Sequence, residues 1–293
     1  MVTQIVLFCK SYRDDVQRAL RLAESVAQFN VESLSFYMSV PQADLAFFRE
    51  KFASLPTEFV TDEEIVAANP RFDRSTFAQL LGRVGQQIVK AEFWRLGHSE
   101  SYVCLDSDCY FLKPFRSADF LAPDGTPYTV MHESKDLLNF AERARLPKIA
   151  RYRTQKCEDI MSQFGRLGRH WDFGPIPAVW SSKVWRDLDE RFFQSKNTSI
   201  VNAVKDHPGE LNWYGEALLA YRSIPLFPIE PLFRCYHYEE EYLFWQDAGE
   251  TDAIVAANYL GICRQSNWDK SLDLVKKFKF SRLRRRIRRS FSL

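Results

Sequence analysis

The sequence predicts an α/β fold built on a mainly parallel, mixed central sheet with helices on its faces. Two observations carry this prediction. Apolar runs of strand length alternate with helix-like segments through the first 110 residues, and strand–helix–strand repetition builds parallel sheets. A chain of 293 residues with 46% hydrophobic content also has enough apolar material for one large α/β domain or two closely joined halves.

Each element follows from its local pattern. Gln4–Cys9 is an apolar run of strand length, and a helix is expected after it from about Asp14. Val16, Leu20, Ala23 and Ala27 then repeat at helical spacing. Leu34–Met38 is a second strand, Pro41 opens a helical stretch over Ala43–Phe52, and Glu58–Val60 is a weaker third strand. Gln86–Leu96 reads as a helix because Val89, Phe93 and Leu96 fall on one face, and Gly97 leads it into the strand Ser101–Leu105.

That strand runs into YVCLDSDCYFLKPF, residues 102–115, where Asp106 and Asp108 interrupt an otherwise apolar stretch. A buried carboxylate costs several kcal/mol unless it is paired, hydrogen-bonded or bound to a metal. In parallel sheets ligands bind beyond the carboxyl ends of the strands, where this pair stands. In extended backbone residues i and i+2 share a side, so both carboxylates are expected to face one site. Two hard oxygen ligands suit Mg²⁺ or Mn²⁺ on a diphosphate. A structural alternative is a turn or cap after the strand. The D-x-D pattern alone proves little, since Asp187-Leu188-Asp189 repeats it inside KVWRDLDERFF, which reads as a solvated helix face.

YVCLDSDCYFLKPF, preceded by GRVGQQIVKAEFW, resembles the nucleotide-sugar core of GT-A (Rossmann-like) glycosyltransferases, and more narrowly bacterial members of capsule and O-antigen polysaccharide biosynthesis. DFGPIPAVWSSKVW and ELNWYGEALLAY…EPLFRCYHY extend the resemblance over most of residues 1–245. It implies a hexosyltransferase-type enzyme that uses a nucleotide sugar, a UDP-sugar first among them, and a glycan or lipid-linked oligosaccharide acceptor. It gives Asp106 and Asp108 the role of holding Mn²⁺ or Mg²⁺ on the donor diphosphate, with Asp106 also at the donor. His237, in CYHYEEE, is the candidate third metal ligand, against the plain alternative of a structural histidine. Lys10, Ser11 and Tyr12, after the first strand, are expected at the nucleoside. Lys90 is expected at the donor phosphate or sugar.

An inverting transfer needs a carboxylate base near the acceptor hydroxyl. Glu216, in NWYGEALLAY, and Asp172, in HWDFGP, are the candidates, with Glu210 a third; a retaining enzyme needs no such base. Trp213 and Tyr214 could stack on a sugar face, although most aromatics in such a chain are core. A change of texture sets a boundary near residue 112. The nucleotide-sugar-binding half is 1–112, the acceptor-binding half 113–269, and a tail covers 270–293. Arg143, Arg145, Lys148, Arg151, Arg153 and Lys156 form a basic stretch that reads as a lid, a lipid-phosphate contact or a solvated helix.

Residues 271–293 hold nine Lys/Arg and one Asp, net +8, while the other 270 residues sum to −6. Phe280, Leu283, Ile287 and Phe291 form one narrow helical face. The pattern predicts a basic amphipathic helix on an anionic membrane surface, with a disordered tail or a nucleic-acid contact as alternatives. The acidic body disfavours nucleic acid as a partner. No apolar run reaches the ~18 residues of a membrane span, and MVTQIVLFCK lacks the features of a signal peptide. Six scattered cysteines without a C-x-x-C pair read as free buried thiols. The expected location is cytoplasmic, peripheral on the inner face of the cytoplasmic membrane. Two other functions compete: a haloacid-dehalogenase-like phosphatase using the same D-x-D, and a catalytically silent glycan-binding scaffold.

Overall fold

A computed structural model describes residues 3–72, 77, 79–80 and 82–273. The membrane-binding helix expected in the tail lies outside these residues from 274 onward, so only its first few positions are described. The central sheet has five strands in the order β3-β2-β1-β4-β7. These are β1 (Thr3–Lys10), β2 (Phe36–Val40), β3 (Glu58–Thr61), β4 (Ser99–Asp106) and β7 (Ala178–Ser181). β1 to β4 are parallel, and β7 runs antiparallel against β4. The expected mainly parallel mixed sheet flanked by helices is therefore present.

A second sheet has the order β5-β10-β9, from β5 (Cys109–Phe111), β9 (Phe233–Tyr236) and β10 (Gly261–Arg264). β10 is antiparallel to β5 and parallel to β9. Thr129–Val130 (β6) and Pro228–Ile229 (β8) make a short parallel pair. Strands from both sides of residue 112 thus pair in both larger sheets.

Helix Val16–Phe29 returns the chain from β1 to β2, burying Val16, Ala19, Leu22, Ala23 and Val26 along one face. The stretch expected over Ala43–Phe52 is a short 3-10 turn, Gln42–Asp44, followed by helix Leu45–Lys51. Thr61 then caps helix Asp62–Ala67 through a capping box with Glu64. Helix Gly82–Glu92 tightens into 3-10 form over Phe93–Leu96 and stops at Gly97, whose φ of +70° favours glycine. Phe93 stacks on Phe8 with ring centroids 3.8 Å apart, and both rings meet Tyr102 edge-on. Burying an aromatic of this size contributes about 1.5–3 kcal/mol.

This packing has a functional consequence. The Tyr102 hydroxyl donates to the Lys90 carbonyl at 2.8 Å, which fixes one helical turn against β4. The backbone N–H of Gly209 donates to Gln87 Oε1 at 2.8 Å, docking the start of helix Glu210–Tyr221 beside the same turn. Lys90, Glu210 and the end of β4 are thereby held together.

Candidate functional site

The site lies at the carboxyl ends of the parallel strands. Register pairs Lys10 with Ser39 on one side and with Asp106 on the other, so β1, β2 and β4 end on one level. Asp62, just beyond β3, completes the row. Its Oδ2 is 3.0 Å from Lys10 Nζ, and its Oδ1 accepts from the Ser39 hydroxyl. Burial raises the Asp62 pKa, with Lys10 and Ser39 opposing the rise. Lys10 also donates to the Ser11 carbonyl at 2.7 Å, and the Tyr12 ring lies 5.7 Å from its ammonium. Tyr12 is 45% exposed, whereas the Ser11 hydroxyl is buried with no hydrogen-bond partner among the described residues. Buried polar groups are normally satisfied, so an unpaired hydroxyl at a strand end marks a place a ligand can serve.

On the other side of β1, Lys90 donates to Asp106 Oδ1, and Glu210 Oε1 stands 3.7 Å from the same ammonium. The Lys90 side chain is 2% exposed, while that of Asp106 keeps 32% of its surface open. Burial opposes the charge on Lys90, but the Asp106 and Glu210 carboxylates more than offset it and raise its pKa well above the ordinary value. Lys90 is thus a fixed cation at the D-x-D motif.

β4 stops at Asp106, and Ser107 and Asp108 form the turn into β5. The extended i, i+2 geometry expected of the two aspartates does not extend to Asp108. The change of direction is set by contacts from distant parts of the chain. Ser107 Oγ donates to Asp15 Oδ2 at 3.3 Å, and Asp15 is in turn held by Arg18 at 2.8 Å. Asp108 is buried, with Oδ2 accepting from the Ser266 N–H at 2.7 Å and Oδ1 from the Cys263 thiol at 3.3 Å. Burial and then the charge of Asp106 push its pKa up to about 6, against the two hydrogen bonds it accepts. Among the described residues, Asp108 clusters with Cys109 and Cys263 as metal-ligating types, and His237 is not in that group. His237 Nδ1 instead lies 3.2 Å from Gln265 Nε2 and 3.8 Å from Cys235 Sγ.

Beyond β10 in the second sheet, β9 borders a cavity of about 400 Å³ lined in part by His132, Trp171, Asp172, Arg234, His237 and Glu241. Asp172 Oδ2 accepts from Ser134 Oγ at 2.6 Å and lies 3.7 Å from Arg153 Nε, and Oδ1 accepts from the Gly174 N–H at 3.1 Å. Burial would raise the Asp172 pKa, but the Ser134 hydrogen bond and then His132, Lys156 and Arg153 bring it below the ordinary value. The carboxylate is therefore ionised at neutral pH, with 27% of its side chain still open.

Glu216 sits differently. It is buried and gripped by both nitrogens of the Arg166 fork, Nε to Oε2 at 2.5 Å and Nη2 to Oε1 at 2.6 Å. Trp213 and Tyr214 are buried in the core. Tyr214 accepts from the Ser181 N–H at 2.8 Å, which ties its helix to β7. The second D-x-D differs from the solvated face expected for it. Asp189 is buried, 2.8 Å from Arg95 Nη2 and bonded also to Arg71. Burial works against its ionisation, but Arg95 and Arg71 hold its pKa below the ordinary value. The basic stretch 143–156 spans the end of helix Lys135–Arg143 and the first part of helix Pro147–Gln163, where Arg153 is buried beside Asp172.

Sequence reasoning found Lys10, Ser11, Lys90 and the aspartate pair at this strand edge. It missed Ser39, Asp62, Cys263 and Ser266, which reach the site only through sheet register. Cys109, adjacent to Asp108, was the one visible signal. All six cysteines are free and buried, as their spacing led one to expect.

Residues 2–278 match the model of a family described as a family of unknown function, DUF6492. The chain belongs to this family. No curated protein matches the sequence. Among solved structures the chain is similar to mouse xyloside xylosyltransferase 1 in its apo form, at 11% identity and a TM-score of 0.44. The match covers 90% of this chain and 98% of that one. A similarity of that degree assigns neither activity nor substrate, and the functional reading rests on the site itself.

Proposed function

We propose that this member of the family is a metal-dependent glycosyltransferase that moves a sugar from a nucleotide-sugar donor to a glycan acceptor. One observation carries the reading. The carboxyl ends of four parallel strands carry a polar row, Lys10–Ser39–Asp62, beside Asp106, with Asp108 in the turn that follows, and β9 of the second sheet borders a cavity lined in part by Asp172.

In this reading the orphaned Ser11 hydroxyl and the exposed Tyr12 ring receive the nucleoside. Asp106 and Asp108 fit a divalent cation, Mn²⁺ or Mg²⁺, by donor chemistry. Lys90 engages Asp106 Oδ1 while 32% of the Asp106 side chain stays open, and Asp108 is a buried carboxylate whose pKa burial and the charge of Asp106 raise. When bound, that ion neutralises charge developing on the departing diphosphate. Lys90 orients Asp106 and adds a fixed positive charge.

The cavity beside Asp172 takes the acceptor. In an inverting transfer the acceptor oxygen bonds to the anomeric carbon as the bond from that carbon to the diphosphate breaks. The nucleoside diphosphate leaves with the electron pair, and the hydroxyl proton goes to Asp172. Asp172 suits this role better than Glu216, because 27% of its side chain stays open beside the cavity, whereas the Glu216 side chain is 1% exposed and closed off by the Arg166 fork.

The finer reading is a hexosyl transfer from a UDP-sugar to a lipid-linked acceptor in bacterial surface polysaccharide synthesis. The protein would then lie on the inner face of the cytoplasmic membrane through 271–293, as the +8 charge of that segment supports. Among the described residues no helix is long and apolar enough to cross a membrane. A screen of sugar nucleotides with Mn²⁺ or Mg²⁺, following donor hydrolysis, tests the proposal. Hydrolysis that requires the metal and fails in Asp106→Asn supports it, and inactivity across all donors sinks it.

A further inference from the structure

We propose that Asp108, Cys109 and Cys263 form a binding site for a thiophilic divalent cation of the zinc type, which shares Asp108 with the proposed hard-ion pair Asp106/Asp108. The site is built by register. Cys109 opens β5 directly after Asp108, and the antiparallel pairing sets Cys263 of β10 opposite it, so the two thiols emerge side by side on one face. All three side chains are buried, and their ligand atoms lie within 4.8 Å of one another.

The distances suit a tetrahedral ion. Bonds of about 2.3 Å to sulfur and about 2.0 Å to oxygen give tetrahedral edges of about 3.5 Å (S···O) and about 3.8 Å (S···S). Cys263 Sγ is 3.3 Å from Asp108 Oδ1, close to the first edge, and the remaining separations, all within 4.8 Å, need to contract by about 1.3 Å at most. The carboxylate is already aimed, because the Ser266 N–H holds Oδ2 at 2.7 Å and turns Oδ1 toward the thiols. Cys235 of β9, the register partner of Cys263, extends the row of sulfur on the far side.

Ligand chemistry selects the ion. Two sulfur donors favour a soft or borderline cation over Mg²⁺ or Mn²⁺, which prefer an all-oxygen shell. Binding is a proton exchange: each thiol releases its proton to solvent as its sulfur bonds the ion, with no change of oxidation state. Asp108 is common to this site and to the proposed hard-ion pair, so a soft ion bound here withdraws Oδ1 from the other. The site itself requires no glycosyl transfer and stands or falls separately from that reading.

The test is a Co²⁺ titration of the full, reduced chain followed by absorption spectroscopy. The expected result is a thiolate-to-cobalt charge-transfer band in the near ultraviolet with intense tetrahedral visible bands. These saturate at one Co²⁺ per chain and are abolished by Zn²⁺. The thiolate band is lost in Cys109→Ser/Cys263→Ser and retained in Cys157→Ser, whose sulfur is elsewhere. Co²⁺ that binds wild type without a thiolate band, fails to bind, or keeps the band in the double variant overturns the proposal. The wild-type spectrum decides even where the double variant does not fold.

Discussion

The ammonium of Lys90 is bonded to the Asp106 carboxylate, with Glu210 3.7 Å away on its other side. Removing one member of a buried charged set strands the others, at a typical cost of about 3–5 kcal/mol. Because Asp106 is partly open to solvent, Lys90→Met is expected to destabilise by about 3 kcal/mol, at the lower end of that range. Glu210→Gln in the same background should cost less than it does alone, because the charge it removes is already unpaired. A denaturant double-mutant cycle measures both, and strictly additive losses would contradict the coupling.

Asp108 makes stability depend on pH. Its folded pKa of about 6 stands above the ordinary value of 3.8, so the native state binds more protons between the two. The stability tied to its protonated form is fully present below about pH 4 and lost as pH rises through about 6. A shift of about two units corresponds to about 3 kcal/mol. Asp108→Asn, which keeps an acceptor for the Ser266 N–H, should therefore gain on wild type by about 2–3 kcal/mol above pH 7 and by nothing below pH 4. Chemical denaturation across that range would show parallel profiles if the account is wrong.

Gly215 links helix packing to the segment that carries Asp172. A Cβ there would lie 2.0 Å from the Phe173 ring, next in sequence to Asp172. Gly215→Ala must displace that ring and is expected to cost about 1–3 kcal/mol. The displaced segment carries the proposed proton acceptor, so turnover should fall more than donor affinity. Unchanged turnover with full stability would show that the Phe173 contact does not hold Asp172.

Glu216 and Asp172 separate by what they lose. Glu216→Gln leaves the half-buried Arg166 against a neutral amide, so the main expected effect is a stability loss of up to about 3 kcal/mol in thermal or chemical unfolding. Asp172→Asn keeps the oxygen that accepts from Ser134 or Gly174 and removes the charge. The expected effect is a turnover loss of about 10²-fold or more, with donor binding intact. The reverse pattern would transfer the base to Glu216.

Much of this site could be read along the chain because its parts are local. An apolar strand ending in Asp106, with Lys90 on the helix before it, is a pattern that propensity and spacing record. Long-range partners leave no such trace. Cys263 and Ser266 reach Asp108 across more than 150 residues, through the pairing of β5 with β10. Amphipathic spacing around Asp187 and Asp189 reports which residues share a face, not that Arg95 and Arg71 meet that face and bury Asp189. Glu216 looked free for chemistry because nothing near it in sequence announces Arg166. The strand was also expected to carry both aspartates in extended form, but hydrogen bonds from Ser266 and Cys263 hold Asp108 in a turn.

In the proposed function Asp106 and Asp108 bind a divalent cation together with a nucleoside diphosphate. Thermal unfolding with UDP, with Mn²⁺ and with both tests it most directly. At a hundredfold excess over the dissociation constant a ligand adds about 2.7 kcal/mol. UDP with Mn²⁺ is expected to raise Tm by several degrees in wild type, more than either alone. Asp106→Asn and Asp108→Asn are expected to lose this response. Nucleoside diphosphates of other bases serve as further arms. An unmoved Tm with every nucleotide and metal pair, or an equal rise in both variants, would contradict it.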